Sequence, residues 1–411
     1  MAVIKPFFSI RPSVEKADKI AALPYDVYNR EEAKAVVEKN PLSFLKIDRA
    51  ETQFDDSVDT YDERVYRKAH DMLWEMVEQG DFVREEKRCY YIYELTMDGR
   101  TQTGITACAS IDDYANGVIK KHENTRAEKE ADRINHVNIC NAQTGPIFLA
   151  YRSRAEINAV VDRVKQQSPV YDFTAEDGVG HRVWIIDGDG DIAVIEKAFA
   201  EIGEIYIADG HHRAASAVRV GFLRREEHPE YTGEEEFNYF LSVLFPDDQL
   251  MIMDYNRAVK DLNGMKEEEF LEKVKELFEV EEITGEDRRP KKKGEFSMFL
   301  ADRWYSCRVR KEDQTQDPVR GLDVSLLQEL LLEPVLGIRD PKTDSRIDFI
   351  GGIRGLKELE RRVHTDCAVA FAMYPTSIGE LFDVADAGLL MPPKSTWFEP
   401  KLRSGLFIHE L

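Results

Sequence analysis

The stretch Tyr206-Ile-Ala-Asp-Gly-His211-His212-Arg213-Ala-Ala-Ser decides how the rest of the chain is read. It has the pattern of a strand that ends in a sharp Gly turn and feeds directly into a helix. An acid, two imidazoles and a guanidinium gather at that helix start, from Asp209 to Arg213. The start of a helix presents unpaired N–H groups and a partial positive charge, which attract phosphate. Gly210 lets the backbone approach an anion closely, and Arg213 can bind phosphate oxygens bidentately. The stretch therefore predicts a phosphorylated ligand, with a nucleotide as the expected one. The competing reading is an ordinary Asp-Gly turn between strand and helix. The pattern is neither a Walker loop nor the three-glycine dinucleotide fingerprint, so neither of those nucleotide folds is expected.

Bulk properties narrow the partners. The 411 residues suffice for two or three domains with real cores. Formal net charge is −22, from 78 acids against 56 bases. That excess repels polyphosphate backbones, so nucleic acid is not an expected partner. The one dense basic run, Arg288-Arg-Pro-Lys-Lys-Lys293, reads as a solvated turn. Five cysteines form no Cys-x-x-Cys pair, which fits a reducing cytoplasm. No signal-peptide core and no apolar run of membrane-spanning length occur, so a cytosolic protein without a membrane partner is expected.

Along the chain, helical and strand patterns alternate as in an α/β fold. Pro24-Tyr-Asp-Val27 is a turn before a helix over about 30–39, and Phe44-Leu-Lys-Ile47 reads as a strand. A helix over 60–79, strands over 88–96 and up to 111, and an Asp98-Gly99 hairpin follow. Three regions are expected: an N-terminal α/β region 1–110, a phosphate-binding core 111–250, and a C-terminal α/β region 251–411.

His122-Glu123-Asn-Thr125 is the second motif with chemistry in it. At a strand end, Glu123 can take a proton from a hydroxyl or help to hold a metal with phosphate oxygens. A helix cap with charged neighbours is the plain alternative. Position 126 is Arg, so the zinc-protease pattern fails. Asp187-Gly-Asp-Gly-Asp191 lacks the turn Gly and the bidentate Glu of a calcium loop, and reads as a strand-to-helix turn. His211 and His212, being adjacent, point apart and do not share a metal by themselves. Lys394, Ser395 and Thr396, after two prolines, form either a phosphate-contacting loop or a surface turn. No Cys lies near either polar motif, which gives cysteine catalysis little support.

Together these segments resemble the domain-of-unknown-function-1015 family of conserved bacterial and archaeal proteins. The resemblance rests on Leu23-Pro-Tyr-Asp-Val27, Asn40-Pro41, Lys121-His-Glu-Asn-Thr125, Ala131-Asp-Arg133 and Pro146-Ile-Phe148. It continues through Ala208-Asp-Gly-His-His-Arg213, Ala385-Asp-Ala-Gly388 and Met391-Pro-Pro-Lys-Ser-Thr396. That family is distantly similar to the ParB/sulfiredoxin fold, which includes a free serine kinase, CTP-binding switches and sulfiredoxin. The resemblance implies an α/β (α+β) fold with a ParB/sulfiredoxin-like nucleotide-binding core and added N- and C-terminal α/β elements. It also implies that Asp209–Arg213 is the phosphate motif and that Glu123 lies near a catalytic acid/base position. Sulfiredoxin chemistry is disfavoured, because its motif needs a Cys where this chain has Gly210 or His211. ParB-type DNA clamping is disfavoured by the negative charge.

The expected function is a nucleotide-dependent phosphotransferase acting on a small hydroxylated metabolite, with free serine as the leading acceptor. ATP or ADP (or CTP) and Mg²⁺ are the expected cofactors. Glu123, Asp209 and His211 are the expected catalytic residues. Gly210, His212, Arg213, His122, Thr125, Arg133, Lys394, Ser395 and Thr396 are expected to bind phosphate or nucleotide, and Asp209 and Glu123 to hold Mg²⁺. The alternatives are a nucleotide-sensing switch without small-molecule turnover, which compacts or dimerises on binding CTP or ATP, and a small-molecule phosphatase; a homo-oligomer is the further expected partner.

Overall fold

The computed structural model describes residues 1–411. It contains two compact units, Met1–Leu250 with Pro400–Leu411, and Met251–Glu399. No helix is long and apolar enough to cross a membrane. All five cysteines are buried as free thiols.

The first unit is built on a nine-stranded mixed sheet. Its long hairpin, Tyr90–Met97 to Arg100–Ser110, turns at Asp98 and Gly99, which have φ of 52° and 77°. A two-residue turn with both φ positive matches the twist of the strands, and Asp-Gly supplies it at little cost. The opening stretch forms strand Ile205–Asp209, parallel to Ile119–Lys120 and antiparallel to Ile147–Tyr151. Next comes Tyr239–Pro246, which pairs with Arg100–Ser110. One sheet thus takes strands from both sides of residue 110. The 1–110 and 111–250 regions expected from sequence therefore belong to one unit, because the long hairpin supplies the middle of the sheet.

Leu149, Ile207, Ala214, Val218 and Phe240 belong to the apolar core of this sheet and its helices. A second core lies under helices Arg30–Lys39, Glu63–Glu78 and Ala127–Cys140, with Ala33, Phe44, Leu73 and Cys140 inside. Here the expected strand Phe44–Ile47 is corrected to a helical turn, Leu45–Asp48. A short apolar run buried on all sides has no diagnostic period. Local caps decide it: Asn40 Oδ1 accepts the Leu42 N–H and Ser43 Oγ accepts the Leu45 N–H.

The C-terminal segment closes the first unit. Ile408–Glu410 pairs with Ser9–Pro12 and Ala142–Gln143, and Leu406, Phe407 and Ile408 are fully buried.

The second unit has a six-stranded sheet, with Glu295–Leu300 and Tyr255–Val259 flanking Val369–Met373. A separate two-stranded ladder pairs Ile252 with Phe398 and Met253 with Trp397, so both ends of this unit run side by side. The basic run is compensated within it, by Arg288–Glu360, Arg289–Asp254 and Lys293–Glu380 ion pairs.

Candidate functional site

Strand Ile205–Asp209 slips register between Ile207 and Asp209 against its neighbour. Such an irregularity re-aims side chains at a strand end. Gly210 follows with φ of 91°, in the left-handed region, and caps the 17-residue helix His211–Glu227. Only Gly adopts this conformation without strain. No side chain caps this helix end, and no acid sits in its first turn, so its N–H groups keep their affinity for an anion.

Because Ile119–Lys120 runs parallel to this strand, the His122 loop emerges beside the helix start. The His122 and His211 rings meet edge to face with centroids 4.5 Å apart. Glu123 Oε2 lies 4.0 Å from His211 Nδ1, and the Glu123 side chain is half-exposed. Both rings are buried, and neither His122 nitrogen nor His211 Nε2 has a hydrogen-bond partner. Burial pushes His122 down to about 4, against the pull of Asp209. Burial, with His122 beside it, holds His211 well below its ordinary value too. Both imidazoles are neutral at pH 7, so the positive charge here comes from the helix and from lysine.

That lysine is Lys401. Its Nζ lies 2.7 Å from Asp209 Oδ2, while Asp209 Oδ1 accepts the Gly210 N–H at 2.8 Å. Desolvation works to raise the Asp209 carboxyl, but Lys401 and the Gly210 N–H hold it below the usual range. No group of three or more His, Cys, Asp or Glu has the geometry to hold a metal. Any Mg²⁺ would arrive with the phosphates of a nucleotide, which commonly leave the protein only one or two carboxylates to supply.

On the other side of the helix start, His212 Nε2 accepts the Arg126 N–H at 3.0 Å. Arg213 reaches away from the first turn. Its Nη2 donates to Asp48 Oδ2 at 3.3 Å and to Ser404 Oγ at 3.1 Å. Thr144 Oγ1 donates to the other Asp48 oxygen at 3.0 Å. Burial alone would raise Asp48, but Arg213, with Arg133 behind it, holds it low. Gly145 is required for this: a Cβ there would overlap the Arg213 guanidinium. Arg133 is buried, paired with Asp132 and stacked over the Tyr25 ring at 4.0 Å; Arg213 lies over the same ring at 5.4 Å. Thr125 Oγ1 donates to Glu130 Oε2 at 2.7 Å.

Tyr25 is also a wall of a cavity of about 510 Å³, enclosed by the Tyr25–Ala50 region and helices Glu63–Glu78 and Ala127–Cys140. Its floor includes Asp48, Glu51, Tyr66, Asp132 and Arg133.

The expected residues thus fall into three places. His122, Glu123, Asp209, Gly210 and His211 gather on one side of the helix start. His212, Arg213 and Arg133 lie on the side facing Tyr25 and the cavity. Lys394, Ser395 and Thr396 belong to the second unit, where the Lys394 ammonium lies 5.5 Å from the Tyr255 ring centroid and Ser395 Oγ donates to the Pro392 carbonyl. Sequence reasoning missed Lys401, Asp48, Gly145 and Tyr25 as site residues. Tyr25 stood in a quoted motif without a role, and Lys401 lies just beyond the Pro-Pro-Lys-Ser-Thr segment. Asp48 carried no local signal.

The chain is similar to SbnI with a C-terminal truncation from Staphylococcus aureus, at 12% identity, TM-score 0.38, covering 74% of this chain and 86% of that one. It is similar to a free serine kinase in complex with AMP, at 17% identity, TM-score 0.33, covering 74% and 91%. A conserved hypothetical protein from Pyrococcus furiosus aligns at 15% identity, TM-score 0.33, covering 74% and 94%. At this distance neither ligand nor reaction transfers. No curated protein matches the chain. The model of the DUF1015 family, described as proteins of unknown function, matches residues 4–325, and the chain belongs to that family.

Proposed function

We propose that the start of helix His211–Glu227 binds the phosphates of a nucleotide and that the protein transfers a phosphoryl group to a small hydroxylated metabolite, free serine being the first acceptor to try. The observation that carries this reading is the uncapped helix start behind left-handed Gly210, with the Glu123 carboxylate 4.0 Å from His211 beside it. Phosphoryl transfer needs positioning and charge neutralisation more than covalent chemistry by the protein. The helix N–H groups and Lys401 supply positive charge. Glu123 takes the proton of the acceptor hydroxyl, for which its half-exposed position leaves access. Mg²⁺ bound to the nucleotide supplies further neutralisation.

Incubation with ATP or ADP, Mg²⁺ and an amino-acid pool, followed by phosphorus NMR, tests the reading. A new phosphoester resonance is expected. Intact nucleotide binding with no new phosphoester would overturn transfer.

The rival reading is a nucleotide switch, favoured by the engagement of Arg213 with Asp48 rather than with the helix mouth. The two differ at one residue. Transfer requires Glu123→Gln to keep nucleotide affinity and lose activity by about 10²-fold or more. A switch tolerates that change.

A further inference from the structure

The cavity beside the phosphate motif has its own chemistry. Six carboxylates line it: Asp26, Asp48, Glu51, Asp59, Glu128 and Asp132. Only Arg49, Lys129 and Arg133 oppose them on its walls. Arg213, behind Tyr25, adds one cation through Asp48, which still leaves an acidic excess. His136 contributes no charge, since burial pushes it down to about 4. Its Nε2 donates to the Ile47 carbonyl.

Glu51 is 2% exposed. One of its oxygens accepts Arg49 Nε, and the other makes no hydrogen bond. Arg49 is held in place by donating to the Tyr25 and Tyr28 carbonyls. Four tyrosines, Tyr25, Tyr28, Tyr61 and Tyr66, line it together with aliphatic residues such as Ile47 and Val65. Tyrosine faces attract cations electrostatically, more strongly where water is excluded. Arg49 neutralises the Glu51 carboxylate, and the second oxygen keeps acceptor capacity for a further donor. A volume of about 510 Å³ lies within the range of small-molecule sites.

From these observations we infer that the cavity between helices Glu63–Glu78 and Ala127–Cys140 binds a small molecule carrying a primary ammonium group, with Glu51 as its carboxylate partner and the tyrosine rings among its walls. A nucleotide triphosphate is repelled by the same acidic excess, so the phosphates stay at the helix start on the far side of Tyr25. The shared Tyr25 wall sets the amine-bearing molecule next to the phosphate motif. The binding site goes beyond the phosphotransferase reading and stands without it. Only the role of its occupant as acceptor rests on that reading.

Calorimetric titration of the full-length protein without nucleotide tests it, using ethanolamine as probe and ethylene glycol as its uncharged counterpart. Ethanolamine binding is expected, with ethylene glycol at least about tenfold weaker, and with saturating ATP leaving the amine site open. Glu51→Gln is expected to weaken ethanolamine about tenfold or more. Since Glu51 also holds Arg49, Asp59→Asn at the exposed rim is the second variant, expected to weaken the amine by a smaller factor without lowering the melting temperature. Equal binding of the two probes, no binding of ethanolamine, or its displacement by ATP would overturn the inference. None of these outcomes bears on whether phosphoryl transfer occurs.

Discussion

Arg213 was legible as an anion-binding residue from its place after Asp-Gly-His-His, yet its guanidinium is tied to Asp48, a residue 165 positions earlier. No local pattern marks such a partner, and Asp48 sits at the end of a run that reads equally well as a strand. Asp48 is buried, its side chain 1% exposed against 16% for Arg213. Breaking a buried pair leaves an uncompensated charge, so Asp48→Asn is expected to cost about 3–5 kcal/mol in urea unfolding. Gly145→Ala should act at the same place, by pushing the guanidinium off Asp48. Gly210 is the residue that the sequence identified most directly. Its φ of 91° makes Gly210→Ala cost about 1–2 kcal/mol, although the added methyl meets Ile147 only at ordinary contact distance. A Gly210→Ala protein of unchanged stability in the same urea experiment would contradict the backbone argument.

Elements were read best where periodicity was long. Helix Glu63–Glu78, the Asp98-Gly99 hairpin and the strand–turn–helix at 205–227 all occur as expected. The short buried run at Phe44–Ile47 was misread because caps, not period, fix it. The segment Pro400–Leu411 inserts a strand into the first unit and delivers Lys401 to Asp209. Its function depends on contacts far away in sequence. Removing 400–411 deletes three fully buried apolar side chains, each contributing about 1.5–3 kcal/mol, and is expected to lower the melting temperature sharply. Lys401→Met isolates the electrostatic part. The Asp209 carboxyl should then titrate at higher pH, as NMR of the side chain would record, because only the Gly210 N–H is left to oppose desolvation.

At the scale of the whole molecule, the alternating pattern pointed to the α/β class and composition to a net charge of −22, while the return of the chain at 400 was visible in neither. The paired ends of the second unit make it an insertion. Replacing 251–399 by a short Gly/Ser linker is expected to leave a folded first unit that still binds nucleotide, measured by thermal shift with and without ATP. Buried neutral histidines set the acid limit of the fold. His122 and His136 are pushed down to about 4 and His181 to about 3, all chiefly by burial. Above an unfolded value near 6.5 their contribution is complete. As pH falls from about 6.5 towards 4, the unfolded chain takes up protons that the folded chain does not, and stability must fall. Urea unfolding at pH 7 and pH 5 should register the loss, and equal stability at both would contradict the neutral burial of these rings.

The proposed phosphate site is the helix start behind Gly210. A crystal structure with ADP and Mg²⁺ tests it most directly. Phosphate oxygens are expected about 3 Å from the backbone N–H groups of His211, His212 or Arg213, with Lys401 on the same side. ADP bound with its phosphates anywhere else, inside the tyrosine-walled cavity above all, would contradict it.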